Sequence, residues 1–399
     1  MTRDRTILHC DCNSFYASVE SLDWPALRAV PMAVCGDQKS RHGIILAKNE
    51  PAKGFGIRTA ETVAQALRKC PQLVLVPPHH ERYAQISRLI NDIYGSYTDQ
   101  VEPFSIDESW LDVTGSLHLF GTGREIADEL RRRVREEIGI TISVGVSFNK
   151  IFAKLGSDYQ KPDATTVITR DDFRDILWPL PAEDMVFVGE VSAQALAAHG
   201  IRTIGDMAAA GRERMRTVLG SAGETLWTYA MGLDESRVRR ADEAEPPKSI
   251  GCGTTFAHDL RGEREVRAGL LPLCDRVGTR LRMRKLYCTT VQVQIRDPFF
   301  KTISRQQRLA AATNVTRELY ETAVGIVLRC RGADAPIRML TVTASGLTDR
   351  CATQMRLIDD VTQARLRDEA LDGVMDDIRA RYGPDAISFC RTLRPGGEG

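Results

Sequence analysis

Two adjacent acidic residues, Asp107 and Glu108, are the clearest chemical signal in this chain of 399 residues. Strand-like residues lie on both sides of them, which predicts a β-hairpin over 101–114 with the pair at its tip. Adjacent carboxylates repel, and in an apolar setting one of them would be protonated unless cations neutralised the pair. The pair therefore indicates either a metal site or a turn that is exposed to solvent.

A third carboxylate favours the metal site. Asp11 is the single acid in the apolar run 7–12, which predicts a buried strand. An acid in such a strand needs a partner, and carboxylate oxygens suit Mg²⁺ that is held together with substrate phosphates. Each signal alone has a simpler explanation, because an acidic hairpin turn is usually solvated and a lone Asp at a strand end is usually a cap or part of an ion pair.

Strands and helices alternate around these acids. The spacing of apolar residues predicts helices over 80–99 and 126–138, and a short strand at 141–146 is followed by a helix over 149–158. From 167 onwards the pattern becomes entirely helical. The acids are therefore predicted on strands that helices cover.

Composition and cysteine content narrow the class of protein. The chain is 27% charged and 43% hydrophobic, and it has neither an apolar run of about 18 residues nor a signal peptide, so we expect a cytoplasmic protein without membrane contact. Its ten cysteines include no C-x-x-C motif. Cys10 and Cys12 would share one face of a strand, and free thiols in a reducing compartment are a better explanation than zinc ligands or disulfides.

The near-neutral net charge of +1 conceals an asymmetry. Residues 246–350 carry 18 Lys and Arg against 9 Asp and Glu, whereas residues 1–245 carry 29 against 35. An acidic part that gathers metal ions, joined to a basic part that holds a polyanion, fits this distribution. A solvated basic face is the alternative. The strict alternation at 291–296 predicts a strand with one polar face, and four arginines are assigned to the polar faces of this region: Arg296, Arg305, Arg308 and Arg338.

The segments 7–20, 101–114 and 141–162 closely resemble the motifs of Y-family translesion DNA polymerases, specifically the bacterial DNA polymerase IV branch. The resemblance extends in register over roughly residues 5 to 350. It implies error-prone, template-directed DNA synthesis without proofreading. It also implies an α+β, multidomain right-hand polymerase fold with these parts: a ferredoxin-like palm at 1–10 and 78–166, small fingers at 11–77, a helical thumb at 167–232, a linker at 233–247, an α/β little-finger domain at 248–350 and a C-terminal tail at 351–399.

The resemblance assigns roles to the acids. Asp11 and Asp107 would bridge two Mg²⁺ ions about 4 Å apart. Glu108 would bind the ion that activates the primer hydroxyl, and the backbone carbonyl of Cys12 would bind the ion on the nucleotide. Mn²⁺ could replace Mg²⁺, because oxygen ligands accept both.

Other positions match the nucleotide-binding residues of the family. Tyr16 corresponds to the steric gate, which excludes a ribose 2′-hydroxyl, and Lys161 to the palm lysine that binds the triphosphate. Many relatives have Tyr and Arg where this chain has Glu50 and Lys53. Glu50 would repel the triphosphate unless it turned away or paired with Lys48 or Lys53, so we expect a weaker nucleotide affinity than in relatives with Tyr and Arg.

The DNA contacts implied by the resemblance differ between the thumb and the little finger. In the thumb, Phe187 and Glu190 replace the first glycine and the lysine of a turn that binds phosphate in relatives. In the little finger, the four arginines would contact the DNA backbone of a primer–template duplex, which gives affinity without sequence readout.

The C-terminal tail contains a candidate sliding-clamp peptide, formed by Gln354, Met355, Leu357 and Ile358. An ordinary start to a helix over 360–381 explains these residues equally well. The resemblance further implies a monomer that acts at the bacterial nucleoid, with deoxynucleoside triphosphates as substrates and the clamp as a candidate partner.

Two other functions are compatible with parts of the sequence. A DNA-binding accessory paralogue with a decayed site would explain Glu50 and the altered thumb turn, but Asp11, Asp107, Glu108 and Lys161 are all present. A nucleotide cyclase would share the palm and its two-metal chemistry, but it would leave the thumb, the linker and the basic region without a purpose.

Overall fold

The computed structural model describes residues 4–36, 43–243, 246–331, 335–349 and 360–389, with side chains from 363 onwards in the last range. The chain divides into two compact units, Met1–Ala244 and Glu245–Gly399. None of the described helices is long and apolar enough to cross a membrane. The elements of the first unit are β1 (Ile7–Cys12), α1 (Phe15–Asp23), β2 (Met32–Cys35), β3 (Ile45–Lys48), α2 (Glu50–Gly54), α3 (Val63–Lys69), β4 (Val74–Val76), α4 (His80–Gly95), β5 (Val101–Pro103), β6 (Glu108–Asp112), α5 (Leu117–Phe120), α6 (Gly123–Arg133), β7 (Ile142–Ser147), α7 (Lys150–Tyr159), β8 (Thr165–Val167), α8 (Phe173–Leu177), α9 (Glu190–Ala198), α10 (Ile204–Ala210), α11 (Arg212–Leu219) and α12 (Ser221–Ala230).

A five-stranded sheet of order β5-β6-β1-β7-β8 forms the centre of the first unit. The central strand β1 is antiparallel to both of its neighbours, β6 and β7. Side chains alternate along a strand, so Leu8, Cys10 and Cys12 pack against α4 and α6, whereas Ile7 packs on the opposite face near Ala153 of α7. His9 and Asp11 therefore lie on the α7 side of the sheet.

A second, smaller sheet of order β3-β2-β4 carries α2 and α3. The predicted fingers boundary at residue 11 falls inside β1. In addition, Phe15 and Val19 of α1 are buried in the same core as Leu8 and Tyr83. Because α1 packs on the central sheet, the separate small sheet begins only at Met32. 

The helices α8–α12 share one apolar core that includes Met185, Leu196 and Met207. The segment 233–247, which the sequence predicts to be a linker, follows these helices.

In this segment, Val238 is buried beside Ile7 and Trp110, and Arg239 pairs with Glu102 at 3.0 Å. The segment is thus packed against the first unit at these two residues.

The second unit is a four-stranded sheet of order β11-β10-β12-β9 with helices on one face. The C-terminal helix of this unit is joined to α13 (Gly262–Met283) by ion pairs. Asp376 of that helix binds Arg282 at 2.6 Å, and Arg379 binds Asp275 at 2.8 Å. The elements are β9 (Ser249–Leu260), α13 (Gly262–Met283), β10 (Tyr287–Arg296), β11 (Thr302–Thr313), α14 (Thr316–Cys330), β12 (Ile337–Thr348) and α15 (Asp360–Tyr382).

Candidate active site

The register of β1 against β6 brings the three predicted acids together. Asp11 lies directly opposite Glu108, and residues opposite each other in an antiparallel pair share one face of the sheet. The backbone N–H of Cys12 donates to the carbonyl of Asp107 at 3.0 Å, which holds the hairpin turn against the end of β1. In the turn, the hydroxyl of Ser105 donates to the Asp107 carboxylate at 2.6 Å. Acids almost 100 positions apart thus meet at one edge of the sheet.

Two lysines from the region of α7 neutralise this cluster. Lys161 Nζ lies 2.6 Å from Asp11 Oδ2 and 2.6 Å from Asp158 Oδ1. Lys154 Nζ lies 2.5 Å from Glu108 Oε2. The sequence had singled out Lys161 but not Lys154 or Asp158. A signal was available, because 154, 158 and 161 follow the helical spacing of four and three on one face.

Burial and neighbouring charges separate the pKa values of the two acids. Burial raises the pKa of Asp11 to about 7, against the opposing effect of Lys161. Burial also acts to raise the pKa of Glu108, but the hydrogen bond and the positive charge of Lys154 outweigh it and lower that pKa to about 2. Asp11 is therefore the carboxylate that most needs a further cation.

The donor set fits divalent cations such as Mg²⁺, which prefer oxygen ligands. In the described part of the chain, no three His, Cys, Asp or Glu side chains are already arranged as a metal site, and the ammonium groups of Lys154 and Lys161 bind the acids instead. The thiol of Cys12 is buried in the core on the other face of β1, which leaves only its backbone available to an ion.

His9 is a fully buried member of the cluster that the sequence analysis missed. Its Nδ1 lies 2.8 Å from the hydroxyl of Ser157, and its Nε2 lies 3.3 Å from Glu108 Oε2. Burial lowers the pKa of His9 to about 4, so the ring is neutral at physiological pH. A histidine two residues before Asp11 in an apolar strand was the available signal, since positions i and i+2 of a strand share a face.

The predicted gate residue Tyr16 is held by a second aromatic ring. Its ring stacks on that of Tyr83, with centroids 4.1 Å apart and planes 15° apart. The hydroxyl of Tyr83 donates to the buried carboxylate of Glu20, which also contacts His79 Nδ1 at 2.9 Å. Tyr16 therefore cannot turn away without breaking the stack, whereas its neighbour Phe15 is a buried core residue.

The chain is similar to known proteins over nearly its whole length. Residues 10–158 match the impB/mucB/samB family, and residues 247–357 match the impB/mucB/samB family C-terminal domain. The DNA polymerase IV of Acetivibrio thermocellus is 45% identical over 381 residues, which cover 95% of this chain and 95% of that protein. The DNA polymerase IV of Moorella thermoacetica is 36% identical over 398 residues, covering 100% of this chain and 98% of the relative. This chain belongs to the DNA polymerase IV family.

That family lies within the Y-family DNA polymerases, which are DNA-directed DNA polymerases. A solved Y-family DNA polymerase chimera has the same fold, with a TM-score of 0.76 and 22% identity over 86% of this chain and 98% of the chimera. The predicted fold class, a multidomain α+β polymerase, is confirmed.

Within this DNA polymerase IV fold, the unusual Glu50 at the start of α2 pairs with a lysine. Its Oε1 lies 2.5 Å from Lys53 Nζ, and the hydroxyl of Ser14 lies 3.4 Å from the same oxygen. Lys48 instead donates to Thr59 at 2.9 Å. A cavity of about 400 Å³ opens beside Ser14 and Glu50. The sequence left open whether Glu50 turns away or pairs with Lys48 or Lys53. The structure shows the pair with Lys53, and this ion pair offsets the positive charge of that lysine.

Replacing Glu50 by Tyr is expected to lower the Michaelis constant for nucleotide about fivefold. The substitution frees the charge of Lys53, and an exposed charge interaction is worth up to about 1 kcal/mol. Steady-state single-nucleotide insertion measures the change. The Glu50→Gln variant is the control that removes the charge without adding a ring, and an unchanged Michaelis constant in both variants would contradict the prediction.

The four arginines assigned to the polar sheet faces do not share one face, which corrects the prediction. Arg296 pairs with Thr302 and Arg308 pairs with Thr290, on the face that the helices do not cover. Arg305 is opposite Val293, a core residue, so it lies on the helix side of edge strand β11. Arg338 lies at an irregularity of β12, and its guanidinium stacks on Phe300 at 4.7 Å. The sequence could not reveal the register that decides this.

The candidate clamp peptide, formed by Gln354, Met355, Leu357 and Ile358, lies outside the described residues.

Proposed function

We propose that this chain carries out translesion DNA synthesis by two-metal-ion nucleotidyl transfer, without proofreading. The observation that carries the proposal is the meeting of Asp11, Asp107 and Glu108 at one sheet edge, beside Lys161. Membership of the DNA polymerase IV family supplies the reaction class. The arrangement supports a site that concentrates negative charge where cations and a triphosphate would meet.

Asp11, Asp107, Glu108 and the backbone carbonyl of Cys12 would hold two divalent ions. When bound, such ions stabilise the charge on the attacking 3′-oxygen and on the leaving pyrophosphate. The residues of the chain prepare this chemistry. Lys154 holds the Glu108 carboxylate in place and keeps it ionised, whereas Lys161 holds Asp11 in place and only partly offsets the effect of burial on its pKa.

The nucleotide would be bound from two sides. Lys161 lies next to the acids, so it could exchange its contact with Asp11 for a triphosphate oxygen once cations neutralise that carboxylate. Lys53 would approach from α2, with its charge reduced by Glu50. On the sugar side, Tyr16 presents its ring from the start of α1.

The absence of proofreading and low fidelity are part of the same proposal. The small sheet β3-β2-β4 with α2 and α3 offers few contacts for closing over a nascent base pair. Weak geometric selection would follow, and with it tolerance of altered template bases. 

Extension of a labelled primer tests the proposal. The full chain is incubated with Mg²⁺ and all four deoxynucleotides on an undamaged template and on one with an abasic site. We expect extension on both, and the Asp107→Ala/Glu108→Ala variant controls for contaminating polymerases. If the wild type binds the duplex but extends neither primer, even with Mn²⁺, the chain is an accessory DNA-binding paralogue instead.

Replacing Tyr16 by Ala is expected to reduce the preference for deoxyribonucleotides over ribonucleotides about 100-fold. The gate is rigid, and steric overlap that cannot relax costs about 1–3 kcal/mol. Competitive insertion of dCTP and CTP measures the preference. The Tyr16→Phe control keeps the ring, and a preference that survives in Tyr16→Ala would exclude Tyr16 as the gate.

The open face of the second unit's sheet would contact the DNA backbone. Arg296 and Arg308 lie on this face among Ser, Thr and Gln side chains that can also bond phosphates. Arg305, on the edge strand β11, and Arg338, near the start of β12, remain candidates only for contacts beyond this face.

We also propose that Gln354, Met355, Leu357 and Ile358 bind a sliding clamp. The Gln354→Ala/Leu357→Ala variant should lose clamp-stimulated synthesis while its activity without the clamp stays unchanged. Equal stimulation of variant and wild type would remove the peptide from consideration.

A further inference from the structure

The thumb turn contains a residue in a strained backbone conformation. The N–H of Val188 donates to the carbonyl of Met185 at 3.0 Å, which closes a four-residue turn. Phe187, its third residue, has φ of 70°. A turn with positive φ at this position favours glycine, because a side chain there meets the backbone carbonyl. This chain therefore retains an aromatic residue where glycine would be more stable.

The neighbours of Phe187 hold this conformation in place. Met185 and Val186 are buried in the core of the helical region, and α9 begins at Glu190. Phe187 itself points outwards and is 64% exposed, so the core gains little from its ring. Strained residues that persist in this way cluster at functional sites.

The ring of Phe187 leads directly to the catalytic turn. It meets the ring of Phe104 edge to face, with centroids 6.2 Å apart. Phe104 packs on Trp110 at 4.8 Å. Lys154 Nζ lies 5.2 Å from the centroid of Phe104, and this is the ammonium group that binds Glu108.

Phe104 is the first residue of the turn that carries the acids. Its N–H donates to the carbonyl of Glu108 at 2.9 Å, which closes the turn, and Asp107 lies between the two residues. A shift of the Phe104 ring would therefore move both the turn and Lys154. In contrast, the other ring contact of Phe187, to Tyr229 at 6.3 Å, leads away from the acids.

We propose that Phe187 is a positioning residue for nucleotidyl transfer, which braces the catalytic turn 104–107 from the thumb through Phe104. The strained backbone directs the ring of Phe187 at Phe104. Glycine would relieve the strain, but it has no ring to make this contact. Because the brace joins the thumb to the acids, it affects the chemical step rather than the binding of nucleotide or DNA. The inference rests on the proposed function.

Single-turnover insertion of one nucleotide tests the brace. The Phe187→Gly variant should insert about tenfold more slowly at saturating nucleotide, with unchanged affinities for nucleotide and primer–template. Its unfolding midpoint should be unchanged or higher, because glycine relieves the strain. Phe187→Tyr should restore the rate, since it keeps the ring. Tyr229→Leu removes the other ring contact and serves as the matched control with a wild-type rate.

A double-mutant cycle identifies the route. Phe104→Leu alone should also slow insertion, and adding Phe187→Gly should cause little further loss, since both substitutions break one contact. If the losses of insertion rate in the two single variants add fully in the double variant, Phe187 does not act through Phe104. A wild-type insertion rate in Phe187→Gly would show that Phe187 has no positioning role. Weaker primer–template binding at an unchanged rate would show that Phe187 contacts DNA directly. If the wild type inserts no nucleotide at all, the proposed function fails and not only the brace.

Discussion

Replacing Asp11 by Asn is expected to lower the rate of nucleotide insertion by at least about 10³, the largest effect on activity that we predict. Asn keeps the shape of the side chain but removes the charge that would bridge two cations. Asp11 lies opposite Glu108 on β1, so no other described acid on this strand can take its place. Lys161 keeps its second partner, Asp158, and stays in the site.

The same substitution is expected to stabilise the metal-free protein by about 1–3 kcal/mol at pH 8. Burial raises the pKa of Asp11 from 3.8 to about 7, so the folded state binds more protons than the unfolded state between these values. The contribution of Asp11 to stability therefore falls as pH rises from about 4 to 7. Asn does not titrate, and the advantage of the variant should grow over this interval.

Chemical denaturation in EDTA, followed by tryptophan fluorescence, measures the stability. All four tryptophans lie in the first unit, so the signal reports the unfolding of that unit alone. The control is Asp158→Asn, which removes the more exposed partner of Lys161 and should lower activity less than tenfold. An Asp11→Asn variant that is inactive because it is unfolded, or one that retains full activity, would contradict the role of this carboxylate.

Replacing Gly145 by Ala is expected to destabilise the first unit by roughly 3–5 kcal/mol, the largest effect on stability that we predict. A Cβ atom at this position of β7 would lie 1.9 Å from the carbonyl oxygen of Ala153 and 2.4 Å from the N atom of Ser157. Both are backbone atoms of α7, so no side chain can rotate to make room. The helix would have to move away from the sheet.

Activity should fall together with stability, because α7 carries Lys154 and Ser157 into the site. Denaturant unfolding by tryptophan fluorescence measures the loss. Gly95→Ala is the matched control, since nothing lies within 4 Å of a Cβ atom at the end of α4 and alanine favours a helix. If Gly145→Ala unfolds at the midpoint of the wild type, the close contact between β7 and α7 does not exist in solution.

Much of the site could be predicted from the sequence because its signals are local. Asp11 interrupts an apolar strand, Asp107 and Glu108 are adjacent in a hairpin, and Tyr16 follows Asp11 in register with a known motif. The position of Glu50 was also apparent from the sequence, but only the structure chose between its two possible lysine partners.

Non-local contacts could not be predicted. Spacing along the chain places His9 on the face of Asp11 and Lys154 on the face of Lys161, but the contacts of both residues with Glu108 depend on distances between different elements. The sequence analysis placed Arg305 on the polar face of the sheet, but pairing with Val293 puts this residue on the helix side. A shift of one residue in register exchanges the two faces of a strand, and alternation alone does not specify that register.

The sequence by itself determined the family and the polymerase fold class, and it singled out the three acids that the structure brings together, because these follow from residue types at fixed spacing along the chain. Only the tertiary structure decided which cations neutralise the acids, which arginines face away from the helices, and that Phe187 reaches the catalytic turn. The physical reason is that these features depend on pairing register and on packing between elements, where a displacement of a few ångströms changes the partner of a side chain.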